Sequence, residues 1–173
     1  MPCATPPLKE LTKASFEQRV AMLELATKPI TNMIIDKRER NRSGKSFTVD
    51  SLSELKRENP STRLVLVVGG DTLETMESWH KIEALCELCH LLVVNRPEYS
   101  LDNIDSIMIK IGFSCAKNKQ ELEIQSAGRY YCHSIEEKSV SSTSLREKFA
   151  NKNPIDDLLS GNVAEYIRDN QLY

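Results

Sequence analysis

Three stretches of the chain carry residue types suited to phosphates and nucleosides. SVSSTSLREKF, 139–149, sets Ser142 and Thr143 at the start of a helical pattern, with Arg146 one turn later. Hydroxyl side chains at a helix start accept from its orphan N–H groups and act as caps. The same N–H groups, with the helix dipole, attract anions, and Arg146 adds a fork of donors matched to phosphate oxygens. Glu147 suits the dipole and partly opposes a pure anion seat. By itself the stretch favours a cap. LVLVVGGD, 64–71, ends in Gly69, Gly70 and Asp71. Glycine lets a ligand approach the backbone, and a carboxylate accepts from ribose hydroxyls. The alternative is a tight strand-to-helix turn with Asp71 as N-cap. HLLVVNRP, 90–97, places Arg96 at a strand end, where it can fork onto phosphate or merely face water before a turn.

Trp79 is the single tryptophan, and its neighbours in ESWHK are polar. An indole at a cleft edge can stack on a heteroaromatic ring, although tryptophans more often sit in cores. Cys86 and Cys89 form a C-x-x-C beside His90, but a zinc site wants a second ligand pair. Cys115, Cys132 and His133 remain, at irregular spacing. IEALCELCHLLVV also reads as an apolar helix face running into a strand, which makes these cysteines small buried hydrophobes. With five cysteines and no secretory pattern, free thiols in a reducing cytosol are expected, and so a cytoplasmic location.

The elements that must position these residues follow from periodicity. Ser15 is an N-cap candidate for SFEQRVAMLELAT, where Phe16, Val20 and Leu23 fall at helical spacing. ITNMIID, 30–36, is a strand candidate, and KRERNRSGKS is a basic loop able to meet phosphate or simply water. FTVDSLSELKREN reads as a helix capped by Thr48. LVLVV and HLLVV are apolar runs expected as strands buried on both faces. TLETMESWHKIEALCEL gives one or two helices, SLDNIDSIMIKIGF another, and GRYYCHSIE a strand. A last helix spans about Gly161 to Asp169. Alternating strands and helices imply an α/β layer fold with a mainly parallel sheet. In such sheets ligands bind off the carboxyl ends of the strands.

The totals narrow the class. At 173 residues the chain has room for one domain with a sizeable core, and its net charge of −2 suggests no nucleic-acid partner. The apolar run Leu64–Val68 is far too short to span a membrane.

In order along the chain, these motifs resemble the bacterial nicotinate-nucleotide adenylyltransferase family. PPLK, 6–9, is similar to its Pro-Pro-His-Lys segment and SFTVDSL, 46–52, to its Tyr-Thr-x-x-Thr-Leu motif. GGDTLETMESWHKIEAL resembles its Gly-x-Asp motif followed by tryptophan. LLVVNRPEY and SVSSTSLR match its Arg-Pro strand and its Ile-Ser-Ser-Thr-x-Ile-Arg signature, and the last residues match its ending. The resemblance covers almost the whole chain. It implies a Rossmann-like nucleotidyltransferase fold and transfer of AMP from ATP, with Mg2+, to nicotinate mononucleotide. It further implies that Ser142, Thr143 and Arg146 hold ATP phosphates, with Gly69 and Asp71 lining the nucleotide cleft. Trp79 would stack on the nicotinate ring, while backbone N–H groups near Thr48 and His80 receive its carboxylate. Lys9 and Arg96 would meet phosphate or ribose. The family begins with a strand, a Gly-x-Phe-Asp-Pro-x-His-x-Gly-His loop and a long helix that have no counterpart here. The expectation is therefore a single, N-terminally incomplete domain over 1–173, with the first strands of the sheet missing and no catalytic residue named. A non-catalytic nucleotide-binding relative that lost the loop is the alternative. Without a neighbouring strand, LVLVVGG would expose an apolar edge. Leu8 and Phe47 stand where the family has His and Tyr.

Overall fold

The structure, a computed structural model, describes residues 1–7, 13–95, 103–135, 142–151 and 158–173. The chain forms two compact units, Phe47–Glu137 and Met1–Ser46 with Lys138–Tyr173.

Phe47–Glu137 carries the sheet. Its strands are β1 (Val65–Gly69), β2 (His90–Asn95), β3 (Ser114–Cys115) and β4 (Arg129–Ser134). They run in the order β1-β2-β4-β3, with every pair parallel. α2 (Thr48–Glu58) precedes them, and α3 (Gly70–Met76), α4 (Leu85–Leu88) and α5 (Ile104–Lys110) lie between them. The packing follows from two periods. Val68, Leu91, Val93 and Tyr130 alternate along their strands onto one sheet face. Val49 and Leu52, Leu73 and Met76, and Ile104 and Met108 recur one helical turn apart and meet that face. Full burial of such a side chain is worth about 1.5–3 kcal/mol. The Tyr130 hydroxyl donates to the Asp105 carboxylate and ties α5 to β4. Burial, helped by that carboxylate, pushes the phenol well above its ordinary range.

The apolar runs form strands as expected, but β1 is not buried on both faces. Val65 and Val67, on the face opposite the core, are 46% and 59% exposed, and among the described residues β1 is the edge of the sheet. The exposed apolar edge expected of LVLVVGG is thus present. Two-residue β3 was too short to show in the sequence pattern. ITNMIID forms no strand: the chain turns at Asn32, whose φ is 65°, and Ile30, Met33 and Ile34 lie exposed. β-branched residues favour strands only where a partner strand supplies packing.

In the other unit, α1 (Phe16–Thr27) starts at the predicted Ser15 cap. The Gln18 N–H donates to Ser15 Oγ at 3.1 Å, and the Ser15 N–H donates to Gln18 Oε1 at 2.8 Å, a full capping box. α6 spans Ser142–Ala150, and α7 spans Gly161–Asp169 as predicted. α1 packs on α7, which buries Val163, Ala164 and Ile167. The first residues are pinned by Arg19, which donates to the Cys3 carbonyl at 2.7 Å, and by buried Glu39, which accepts from the Ala4 N–H at 3.2 Å. Among the described residues, no helix is long and apolar enough to cross a membrane.

Candidate functional site

The carboxyl end of β1 runs directly into α3. Gly69 is the last strand residue and also the N-cap of α3, in an extended conformation with no side-chain cap bond. Asp71 is therefore not the cap considered from sequence. It lies in the first helical turn, exposed, with its carboxylate folded toward the Gly69 backbone. A Cβ on Gly69 would run into that carboxylate. Glycine here leaves room for the exposed acid to fold over the strand end.

The chain leaves α3 through a tight turn. The Trp79 N–H donates to the Met76 carbonyl at 3.1 Å, and Ser78 Oγ donates to the Thr75 carbonyl at 2.6 Å. Lys81 then takes a left-handed conformation, φ 51° and ψ 44°, which reverses the chain behind His80. Trp79 is half-buried with part of its surface against the core. Exposed His80 meets half-buried Phe47, with ring centroids 4.3 Å apart and planes inclined at 32°. Phe47 is the N-cap of α2, so Thr48 is the first helical residue rather than the cap expected of it. No side chain caps this helix start, and a short hydroxyl one position early would have been needed to do so. Through Phe47, Thr48 and His80 are brought together. This aromatic contact was missed in the sequence, where Phe47 drew notice only as a replacement for tyrosine.

In the other unit α6 begins at Ser142, as its hydroxyl run suggested. Thr143 and Arg146 lie exposed on its first turns, and the Arg146 guanidinium carbon stands 5.5 Å from the centre of the Tyr173 ring. The residue preceding α6, which would be its cap, falls outside the described residues, as do Lys9 and Arg96. The basic loop after α1 is largely neutralised by acids: Lys37 meets Glu24 at 2.6 Å, Arg38 meets Asp36 at 2.7 Å and Arg40 meets Glu17 at 2.9 Å. Lys37, Arg38 and Arg40 are thus held as ion pairs, which suits the solvated-loop reading.

The Cys86–His90 stretch is structural. His90 is buried, accepts from the Arg129 N–H at Nδ1 (3.2 Å), and so donates from Nε2 to the Gln125 carbonyl (3.1 Å). Cys89 is buried with its thiol toward the Leu85 carbonyl, and burial pushes it up to about 12. The Cys86 thiol donates to the Glu83 carbonyl at 3.1 Å and lies 2.8 Å from where a Cβ on Gly112 would be. A thiol held protonated and an imidazole with both nitrogens engaged are poor zinc ligands.

The protein's likeness to known proteins agrees with this arrangement. The structure of Plasmodium falciparum nicotinic acid mononucleotide adenylyltransferase complexed with NaAD superposes with a TM-score of 0.72 at 21% identity, covering 99% of this chain and 79% of that one. The fold is thus the Rossmann-like fold of the nucleotidyltransferases. The cytidylyltransferase-like family model matches residues 1–148. A "Probable nicotinate-nucleotide adenylyltransferase" of Cronobacter sakazakii is 34% identical over 175 residues, taking in all of this chain and 80% of that protein. Another, of Psychromonas ingrahamii, is 31% identical over 173 residues, taking in all of this chain and 81% of that protein. The chain belongs to the cytidylyltransferase-like family and, within it, to the nicotinate-nucleotide adenylyltransferases.

Proposed function

We propose that the chain transfers the AMP part of ATP to nicotinate mononucleotide, giving deamido-NAD and pyrophosphate for NAD biosynthesis in the cytoplasm. The observation that carries this reading is the Phe47–His80 contact beside half-buried Trp79 at the uncapped start of α2. That arrangement offers what a pyridine ring bearing a carboxylate needs. The indole of Trp79 stacks on the ring. The N–H of Thr48, at the positive end of the α2 dipole, and that of His80 donate to the carboxylate. A neutral carboxamide would gain less from the same dipole.

Ser142, Thr143 and Arg146 hold the ATP phosphates, with Mg2+ entering alongside the nucleotide. Gly69 lets the nucleotide approach the backbone, and Asp71 accepts from a ribose hydroxyl. Lys9 and Arg96 meet phosphate or ribose. A phosphate oxygen of the mononucleotide attacks the α-phosphorus of ATP in line, the bond to the β-phosphate breaks, and pyrophosphate leaves. Such transfer depends on positioning and charge stabilisation. The residues named here bind and orient, and none is assigned to the α-phosphorus.

The test is to titrate the full chain with nicotinate mononucleotide while following Trp79 fluorescence, then to add ATP with Mg2+ and assay deamido-NAD and pyrophosphate. Saturable quenching with product formation is expected. Trp79→Leu, whose mononucleotide binding is followed by calorimetry because it removes the only tryptophan, should bind about tenfold more weakly, the scale of one lost base-stacking contact. Quenching without product would replace transfer by binding alone. Folded protein that neither quenches nor turns over would sink the proposal.

A further inference from the structure

We infer that Tyr173 is a positioning residue for the ATP phosphates, acting through Arg146. The inference rests on reading Arg146 as a phosphate contact. The guanidinium carbon of Arg146 lies 5.5 Å from the Tyr173 ring centre, within cation–π reach. Such a contact uses one face of the guanidinium plane. Its N–H donors lie in the plane and remain directed outward, as bidentate phosphate binding requires.

Tyr173 is well placed to hold that plane. The Leu172 N–H donates to the Ile167 carbonyl at 3.0 Å and the Gln171 N–H to the Arg168 carbonyl at 3.1 Å, fastening the end of the chain to α7. Gln171 and Tyr173 are both left-handed, with φ 51° and 79°, and this backbone path turns the ring toward α6. The ring is half-buried and shares a groove with Leu145, Phe149, Val163 and Ile167. Arg146, in contrast, is exposed. An exposed arginine with no support loses its rotamer freedom only on meeting its ligand, and this weakens binding. A ring that orders it beforehand removes part of that cost.

The test compares dissociation constants for ATP with Mg2+, by calorimetry on the full chain. Tyr173→Leu keeps apolar volume in the groove but has no π face, and it should weaken ATP about three- to fivefold, the range of an exposed cation–π contact. Its affinity for nicotinate mononucleotide should not move. Tyr173→Phe restores the π face and should stay within about twofold of the parent. In an Arg146→Gln background, Tyr173→Leu should add nothing, because coupled residues are not additive. If Tyr173→Leu lowers the melting temperature, Tyr173→Met repeats the comparison with a different apolar filling. A full loss for Arg146→Gln beside a silent Tyr173→Leu overturns the inference alone, as does a Tyr173→Leu loss that persists in the Arg146→Gln background. An Arg146→Gln chain that binds ATP like the parent overturns the phosphate reading of Arg146, and the inference with it.

Discussion

Trp79 and Phe47 lie half-buried against the hydrophobic core of the sheet unit, whereas Thr143 and Arg146 project from the exposed face of α6. The first pair packs against a core cluster that includes Met76 and Leu85, both almost wholly buried. In the second group, Arg146 rests on the Tyr173 ring. The difference matches the roles proposed for each. A flat ring is recognised by a flat surface at van der Waals distance, and dispersion falls off within a fraction of an ångström. A charge acts over several ångströms and tolerates side-chain motion, so its residue can stay on the surface. Rigidity is concentrated where shape is read, and exposure where charge is read.

The contrast can be broken most forcefully from beneath. Met76→Ala should cost about 2–5 kcal/mol of stability, the usual range for emptying a well-packed core site. A urea titration would show the lowered midpoint. Under conditions where the variant is still folded, it should bind nicotinate mononucleotide less well and ATP unchanged. Equal losses for both ligands would mean that the two groups are not independently supported.

A smaller effect is expected from Phe47→Ala, which removes the ring that His80 rests on. An aromatic pair contributes about 0.5–1.5 kcal/mol beyond its area, so the mononucleotide constant should rise about two- to tenfold. Phe47→Tyr should restore it. A Phe47→Ala chain with unchanged mononucleotide affinity would show that the contact does not position the turn after Trp79.

The mildest perturbation is alkaline pH, which probes the same core through Cys89. Burial raises this thiol from its ordinary 9.0 to about 12. Below pH 9 both folded and unfolded chains keep the proton, and this contribution to stability is whole. Between about pH 9 and 12 the unfolded chain gives up the proton and the folded one does not, so stability falls as pH rises. Cys89→Ala should flatten part of that fall in pH-dependent unfolding curves. An unchanged slope would place the loss on the other raised groups, the thiols of Cys3, Cys86 and Cys132 and the Tyr130 phenol.

Much of the fold was legible because its signals are local. Ser15 and Gln18 announce a capping box, and α7 begins and ends where its apolar period does. The apolar runs at β1 and β2 and the aromatic run at β4 are strands as read. The failures share one cause. ITNMIID has strand composition, but pairing depends on a neighbour that local sequence does not name. β1 was taken as buried on both faces, yet only the strand order reveals that it ends the sheet. Of the candidate site residues, Gly69 and Asp71 stood out at the end of an apolar run, Trp79 as the single tryptophan among polar neighbours, and Thr48 through the resemblance. The contacts Phe47 makes with His80 and Tyr173 makes with Arg146 join residues tens of positions apart and carry no period.

By itself, then, the sequence determined the α/β class, the places where helices and strands begin, and which side chains could bind phosphate, ribose or a pyridine ring. Backbone propensity, capping and binary pattern act within a few residues, so they can be read along the chain. Only the tertiary structure decided that Asp71 lies exposed with its carboxylate over Gly69, that His90 and Cys89 are spent on the core, and which aromatic rings meet His80 and Arg146. Those outcomes depend on contacts between distant residues, where packing and burial decide which neighbour each side chain meets.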